Sequence, residues 1–368
     1  MKTLAAVVES VKQPFQLEHI HLPEPADDEV LVRIVGVGLC HTDLASKEGL
    51  VNAPFPNVFG HEGAGIVEQV GRSVTKVVPG DHVVLAPAFD GTCAHCLSGQ
   101  QMYCDHFTDL NFQTDPHGSR ATREKGNAAY LKYFGQSSFA QHALANERST
   151  IKVRKDVPLK LLGPLGCGIQ TGAGTVMNGI RPRAGSSLAV LGMGPVGLAA
   201  IMAAQVCGCA TLIAIDQVDS RLETARELGA THVINTRQVD NLGEAIRAIA
   251  PRGVDAIVDA AGVNALIGAA INGLAILGQV ALVAVPSVAG KALELPWFTF
   301  LLAGQSARGY VEGNAISEVF IPQLIDLYLQ GRFPFDRLIT FYPFQDIGQA
   351  VSDQLSGKTI KAVLEMKH

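Results

Sequence analysis

The sequence predicts an α/β chain of two domains, one β-rich and partly barrel-like, the other doubly wound around a parallel sheet. Three observations carry this. The chain has 368 residues, more than one typical domain. Residues 1–150 are short alternating segments broken by Pro, Gly, Asp and Asn, with few helical patterns. From about Gly168 the texture changes to regular alternation of apolar strands and helical runs, which implies a parallel sheet with helices on both faces.

In chain order, Glu29 to Gly38 and Asp81 to Leu85 read as strands. Residues 105–135 are polar and aperiodic; so long an irregular stretch points to a functional or interface role. Strand character resumes from Phe134 to Gln141. The βα part then runs as a strand at Ser186–Leu191, a helix at Pro195–Val206, a strand at Thr211–Ile215, a helix at Ser220–Leu228 and a strand at His232–Asn235. Further strands follow at Ala256–Asp259 and Gln279–Val285. After about residue 311 the pattern is mixed again and ends in the apolar run Thr359 to Glu365, expected to rejoin the first domain. The organisation predicted is 1–168 with 311–368 as the catalytic domain, and 169–310 as a nucleotide-binding domain inserted into it.

Composition excludes several classes. Forty-eight percent hydrophobic and seventeen percent charged residues describe a well-cored globular protein. A net charge of −5 gives no reason to expect nucleic acid or an anionic membrane as partner. The apolar run after Met1 ends at Glu9 and Lys12, too early for a secretory signal. The tract from Ala269 to Gly290, interrupted by Asn272, Gly278, Gln279 and Pro286, reads as a helix followed by a buried strand, and a cytoplasmic protein is expected. Seven cysteines, an odd number, argue against a disulfide framework.

The nucleotide site is read from Gly192-x-Gly194-x-x-Gly197. An apolar strand precedes it, a helix follows, and Asp216 ends the next strand nineteen positions after Gly197. Gly192 permits the tight turn, Gly194 lets a pyrophosphate approach the backbone, and Gly197 allows close helix–strand packing. The helix N-terminus then offers unsatisfied N–H groups to the phosphates. Asp216 would accept bonds from the ribose hydroxyls and repel a 2′-phosphate, favouring NAD over NADP. Arg221 is near enough to assist at the ribose, or is simply a solvated arginine at a helix start.

Two metal-ligand constellations stand out. Gly60-His61-Glu62-Gly63 places an imidazole beside a carboxylate at a glycine-rich turn, with Cys40 upstream in Gly38-Leu39-Cys40-His41-Thr42-Asp43 and Cys167 downstream in Gly166-Cys167-Gly168. Taken singly, each cysteine is as easily an inert core residue and the histidine a satisfied polar group. Together, two thiols and an imidazole form the donor set of a three-ligand zinc with one open position. Asp43 is the candidate to fix the His61 tautomer, and Glu62 would lie behind or beside the metal. The second constellation is Cys93, Cys96 and Cys104, in C-x₂-C-x₇-C spacing, with Asp90 offering a fourth, oxygen ligand. His95 or His106 are alternative fourth ligands, and a metal-free loop of free thiols is the simplest alternative. Cys207 and Cys209 read as packing residues at a helix end.

These motifs together resemble the zinc-dependent medium-chain alcohol dehydrogenase family over essentially the whole chain. Phe134 to Ala140 and Gly309 to Asn314 look most like its bacterial aryl- or benzyl-alcohol branch. The resemblance implies a GroES-like catalytic domain joined to a Rossmann domain, two zinc ions per chain, NAD, and reversible oxidation of primary alcohols such as benzyl, cinnamyl or geranyl alcohol. It implies Cys40, His61 and Cys167 as catalytic zinc ligands, Glu62 as a carboxylate that can approach the metal, and Thr42 as the hydroxyl taking the alcohol proton. It further implies Asp43 as partner of the ligand histidine, Thr171 and Val196 lining the nicotinamide, and His41 and Lys361 facing the pyrophosphate. A homo-oligomer is implied too, with the long 105–135 segment favouring a dimer and a tetramer as the alternative.

Three positions depart from the family pattern. Asp90 stands where the first cysteine of the second zinc site is usual. His41 and Lys361 stand where arginines are common and lack their bidentate fork, so looser NADH binding is expected. Ala45 replaces the relay histidine of some members. Alternative activities are a formaldehyde–glutathione adduct or polyol dehydrogenase of the same family, or a noncatalytic NAD-binding scaffold.

Overall fold

The computed structural model describes residues 1–112, 120–286 and 292–367. It separates into two compact units, one of Met1–Cys167, Ile316–Gln323 and Asp336–His368, the other of Gly168–Ala315 and Leu324–Phe335.

The first unit begins with strands β1 (Lys2–Val8), β2 (Gln16–His21), β3 (Glu29–Gly38), β4 (Asn57–Val58) and β5 (Gly63–Val70). It continues with β6 (His82–Leu85), β7 (Arg120–Arg123), β8 (Ala128–Tyr130), β9 (His142–Asn146) and β10 (Thr150–Lys152). Strands β1, β2, β7, β8 and β4 close into a small barrel. Small barrels have no free edge and fill their interior with side chains; Ala5, Val7, Ile20, Val58, Ala121 and Ala129 are buried in this core.

The second unit carries β11 (Ser187–Leu191), β12 (Thr211–Asp216), β13 (His232–Asn235), β14 (Val254–Asp259), β15 (Leu274–Leu282) and β16 (Ser306–Gly309). They form one parallel sheet in the order β13-β12-β11-β14-β15-β16. Leu188–Leu191, Leu212–Ile215 and Ala256–Val258 are buried without the alternation of a half-exposed strand, as a sheet covered on both faces requires. The strand order reverses between β12, β11 and β14, the position at which doubly wound sheets bind nucleotides.

Back in the first unit, β17 (Ile339–Pro343) and β18 (Lys361–Glu365) complete a sheet of order β10-β6-β5-β3-β18-β17, with β9 also on β3. Val363 of β18 pairs with Gly38 of β3, two residues before Cys40.

Two expectations are corrected. The 105–135 stretch is not a plain loop: it holds a short helix, Phe107–Phe112, and the β7–β8 hairpin, with 113–119 outside the described residues. Phe134 to Gln141 is not a strand. It opens as a tight turn with Phe134, Gly135 and Ser137 at positive φ, which no strand accommodates; Ala140 then makes a single bridge to Ala5, and a regular strand starts only at His142. The 269–290 tract holds the end of the helix Asn264–Ile271 and then β15. No helix among the described residues is long and apolar enough to cross a membrane.

Candidate metal and nucleotide sites

The helix His41–Lys47 follows directly from Cys40, its N-cap. Asp43 is wholly buried and binds three groups: Oδ2 accepts from Cys40 N at 3.0 Å, and Oδ1 accepts from Gly60 N at 3.0 Å and lies 2.8 Å from His61 Nδ1. One carboxylate thus ties the Cys40 loop to the Gly60–His61 turn, and it assigns the proton to Nδ1, leaving Nε2 as the lone-pair nitrogen. Gly60 takes φ +91° in that turn, and a Cβ there would meet Phe139 N at 2.4 Å.

Cys40, His61 and Cys167 have their donor atoms within 4.8 Å of one another. His61 Nε2 is buried and has no hydrogen-bond partner, an arrangement costly for a bare imidazole and natural for a metal ligand. The electrostatics agree. Hydrogen bonding to Cys167 holds the Cys40 thiol well below its ordinary value against burial, with His61 and Lys361 adding to the effect. Burial opposes charge on His61, but Asp43 and Cys40 outweigh it and carry the imidazole well above its ordinary value. A buried pocket that gathers anions and asks its histidine to be cationic is short of positive charge, and a divalent cation fits that need. Thr42 Oγ1 lies 3.7 Å from Cys40 Sγ, beside this donor set.

Glu62 is fully buried, and burial pushes it up to about 7 with Lys361 opposing. Lys361 Nζ lies 2.7 Å from Glu62 Oε1 and 2.6 Å from Oε2, and donates to Leu39 O at 3.0 Å. Lys361, expected to face a pyrophosphate, is therefore found 1% exposed against Glu62. The reason is physical: a buried carboxylate next to thiols requires a counter-charge. Gly38 makes room for the pair, since a Cβ there would fall 1.9 Å from Glu62 Oε2. His41, by contrast, is exposed at the first position of its helix.

The second cluster brings Asp90, Cys93, Cys96 and Cys104 within 4.8 Å of one another. Asp90 divides its labour. Oδ1 accepts from Thr92 N and Cys93 N at 2.6 and 2.8 Å, while Oδ2 lies 3.2 Å from Cys104 Sγ. The Cys93 and Thr92 N–H groups hold its carboxyl far below the usual range. Backbone N–H groups of Asp105 and Cys96 donate to Cys93 Sγ and hold that thiol below its ordinary value, while Asp90 N donates to Cys104 Sγ, a thiol that burial pushes up. The alternative ligands are placed on carboxylates instead: His106 Nδ1 is 2.8 Å from Asp90 Oδ2 and His95 Nδ1 2.7 Å from Asp105. Cys93, His95 and Asp105 do form a further, more exposed group. Cys207 and Cys209 are half-buried and belong to neither cluster.

In the nucleotide unit each glycine of the turn has its own reason. Gly192 sits at φ +88°; a Cβ on Gly194 would meet nothing within 4 Å, leaving room for a ligand; a Cβ on Gly197 would strike Gly192 O at 1.8 Å. Pro195 opens the helix Pro195–Val206, with Val196 in its first turn. Asp216 takes Gln217 N and Val218 N on Oδ1 at 2.7 and 3.0 Å and Met193 N on Oδ2 at 2.7 Å, so Oδ2 keeps lone-pair capacity for a ribose hydroxyl. Arg221 Nε is buried without a partner. Thr171 donates to Glu312 Oε2 at 3.3 Å, and Gln170 reaches the same oxygen at 3.1 Å. Glu312 stood in the sequence only as part of the Gly309–Asn314 segment, with no role of its own; its positive φ of 47° and burial are visible only in three dimensions.

The comparisons extend along the whole chain. Residues 26–155 match the alcohol dehydrogenase GroES-like domain, and residues 195–330 match the zinc-binding dehydrogenase domain. A geraniol dehydrogenase of Castellaniella defragrans is 40% identical over 366 residues, covering 98% of this chain and 96% of its own. Alcohol dehydrogenase 1 of Pisum sativum is 33% identical over 377 residues, covering 100% and 98%. Among solved structures, a benzyl alcohol dehydrogenase of Acinetobacter calcoaceticus superposes with TM-score 0.93 at 42% identity, covering all of both chains. The protein belongs to the zinc-dependent medium-chain alcohol dehydrogenases and is an alcohol-oxidising enzyme.

Proposed function

We propose that the protein oxidises primary aromatic or allylic alcohols to aldehydes, reversibly, with NAD as hydride acceptor and a catalytic zinc at Cys40, His61 and Cys167. The observation that carries this is the orphaned, buried His61 Nε2 converging on two thiols while Asp43 holds the other ring nitrogen. When bound, zinc supplies Lewis acidity that eases loss of the alcohol proton near neutral pH, and NAD accepts the hydride. Thr42 takes that proton at Oγ1. Ala45 offers no titratable group to relay it further, so its exit would fall to the ribose of a bound cofactor with water, or to another group. Asp43 fixes the ligand imidazole, and Glu62 provides the carboxylate behind the donor set. Gly192, Gly194 and Gly197 seat the pyrophosphate, Val196 and Thr171 flank the nicotinamide, and Asp216 with Arg221 reads the ribose. The names of the geraniol and benzyl alcohol dehydrogenases support the aromatic or allylic class, and Asp216 supports NAD over NADP.

A second zinc at Asp90, Cys93, Cys96 and Cys104 belongs to the same reading, supported by N–H groups aimed at two of the sulfurs. So does a homodimer. The edge strand β16 is exposed along its length, and the helix Trp297–Ala303 has no buried residue, with Trp297 82% exposed. Two copies related by a twofold axis would pair β16 with β16 and cover both helices.

The decisive test is turnover of benzyl, cinnamyl, geranyl and short aliphatic alcohols with NAD and NADP, alongside zinc analysis. Cys40→Ala and His61→Ala should abolish turnover and leave NAD binding nearly intact. Full activity in a verified zinc-free preparation would sink the scheme.

A further inference from the structure

Residues 132–137 form an unusual turn. Lys132, Phe134, Gly135 and Ser137 all have φ between +50° and +71°, and only one of them is glycine. Backbone of this kind in ordinary residues persists only where the surroundings over-determine it, and it concentrates at functional sites. Here it delivers three side chains to the Gly60–Gly63 segment. Phe134 stacks on the His61 imidazole, ring centroids 4.3 Å apart and planes inclined by 22°. Tyr133 packs on the same ring at 5.7 Å, edge-on, and its hydroxyl bonds Ser46 at 2.6 Å. Gln136 spans the residues on either side of Glu62, its Nε2 donating to His61 O and its Oε1 accepting from Gly63 N, both at 3.0 Å. Main-chain bonds from Ser138 N to Gly60 O and from Phe139 N to Phe59 O close the contact.

The turn is itself braced. Phe112 meets Phe134 at 5.1 Å and Phe107 meets it at 6.4 Å, both from the helix that starts three residues after Cys104. In that helix the buried Asn111 holds Ala88 through both its amide groups, against which Gly135 lies too close for a Cβ. Everything here lies within the first unit.

We infer that the Lys132–Ser137 turn is a positioning clamp for the metal-binding imidazole, with Phe134 setting the ring plane and Gln136 setting the height of the His61 main chain. This rests on the zinc reading of Cys40, His61 and Cys167. Asp43 alone fixes one ring nitrogen and leaves the ring free to tilt about that bond; a stacked face removes the tilt. The clamp acts through His61 and touches no substrate in this role.

The test uses the full-length holoprotein, with metal content of the parent measured first. Phe134→Leu removes the stacked ring, Gln136→Ala removes both amide bonds, and Phe134→Tyr keeps the ring. Zinc release to a chelator from the catalytic site should accelerate on the order of ten- to a hundredfold in the first two, as for other partners of metal ligands, and return toward the parent rate in Phe134→Tyr. The visible bands of cobalt(II) placed at this site should shift in the same pattern, while a purely structural role would lower the melting temperature and leave the bands unmoved. Release rates within about twofold of the parent and unchanged cobalt bands in folded Phe134→Leu and Gln136→Ala would overturn the clamp. A parent protein that binds no metal at these residues would instead overturn the functional reading, and the clamp with it.

Discussion

Lys361 and Glu62 hold each other at 2.6 and 2.7 Å in a site where neither is exposed by more than 1%, and the remaining acceptor at Lys361 is Leu39 O. Two of the ammonium's N–H groups are taken by Glu62 Oε1 and Leu39 O, and Glu62 Oε2 adds its charge at ion-pair distance. Lys361→Met should therefore leave NADH affinity within about twofold, while the loss of a buried partner costs up to about 3–5 kcal/mol, less whatever Glu62 recovers by taking a proton. NADH titration and denaturant unfolding check the two halves separately. A tenfold loss of NADH affinity would return Lys361 to the cofactor.

His41 is the exposed counterpart, at the start of its helix. His41→Arg should tighten NADH several-fold at low salt, less so at high salt, because a guanidinium offers a fixed fork to phosphate where an imidazole does not. Binding isotherms at two ionic strengths are the measurement, and no tightening at either counts against a pyrophosphate role.

Asp90 gives the second cluster its fourth donor and its loop geometry together. Asp90→Ala should lower bound zinc from about two to about one per chain by elemental analysis. The thiols Cys93, Cys96 and Cys104 should then become reactive toward a disulfide reagent. Two retained zinc ions would transfer the ligand role to His106 or His95.

Arg123 lies with its side chain fully buried between Glu9 and Glu18, 2.6 Å from the former. Its hydrogen bond holds Glu9 below the ordinary value of 4.5, and it does the same for Glu18 against burial. Carboxyls depressed in the folded state stabilise it above their unfolded value and lose that contribution as pH falls through the folded one. Arg123→Met should thus be less stable at pH 7 and should lose less additional stability between pH 5 and pH 3 than the parent. Melting curves across that window would show the shallower slope.

The motifs legible in the sequence were those where one residue type has one chemical use. Cysteines and a histidine beside glycines signalled donors, which the chain brings within 4.8 Å. Three spaced glycines before a helix signalled a nucleotide turn, because φ +88° at Gly192 and the 1.8 Å approach at Gly197 admit no other residue. What stayed hidden were partnerships of common residues far apart in the chain. Nothing local marks Lys361 for Glu62, Gln136 for His61, or Arg123 for Glu9. The 134–141 segment misled for a related reason: Phe134 and Phe139 are good strand residues by type, and tertiary contacts with His61 and Gly60 override that preference.

Strand β18 has a consequence for how the protein is made. It lies beside β3 and supplies Lys361, whose bond to Leu39 spans 322 residues of chain. Contacts of such separation form late, because the entropy of closing the intervening loop must be met first. Nearly half of that loop is the nucleotide-binding unit, Gly168–Ala315, and once folded it shortens the effective loop to be closed. Until then Glu62 has no counter-ion and the segment around His61 is incomplete. A lesion that slows folding of the parallel sheet would therefore surface as a chain poor in metal, far from the residues that changed.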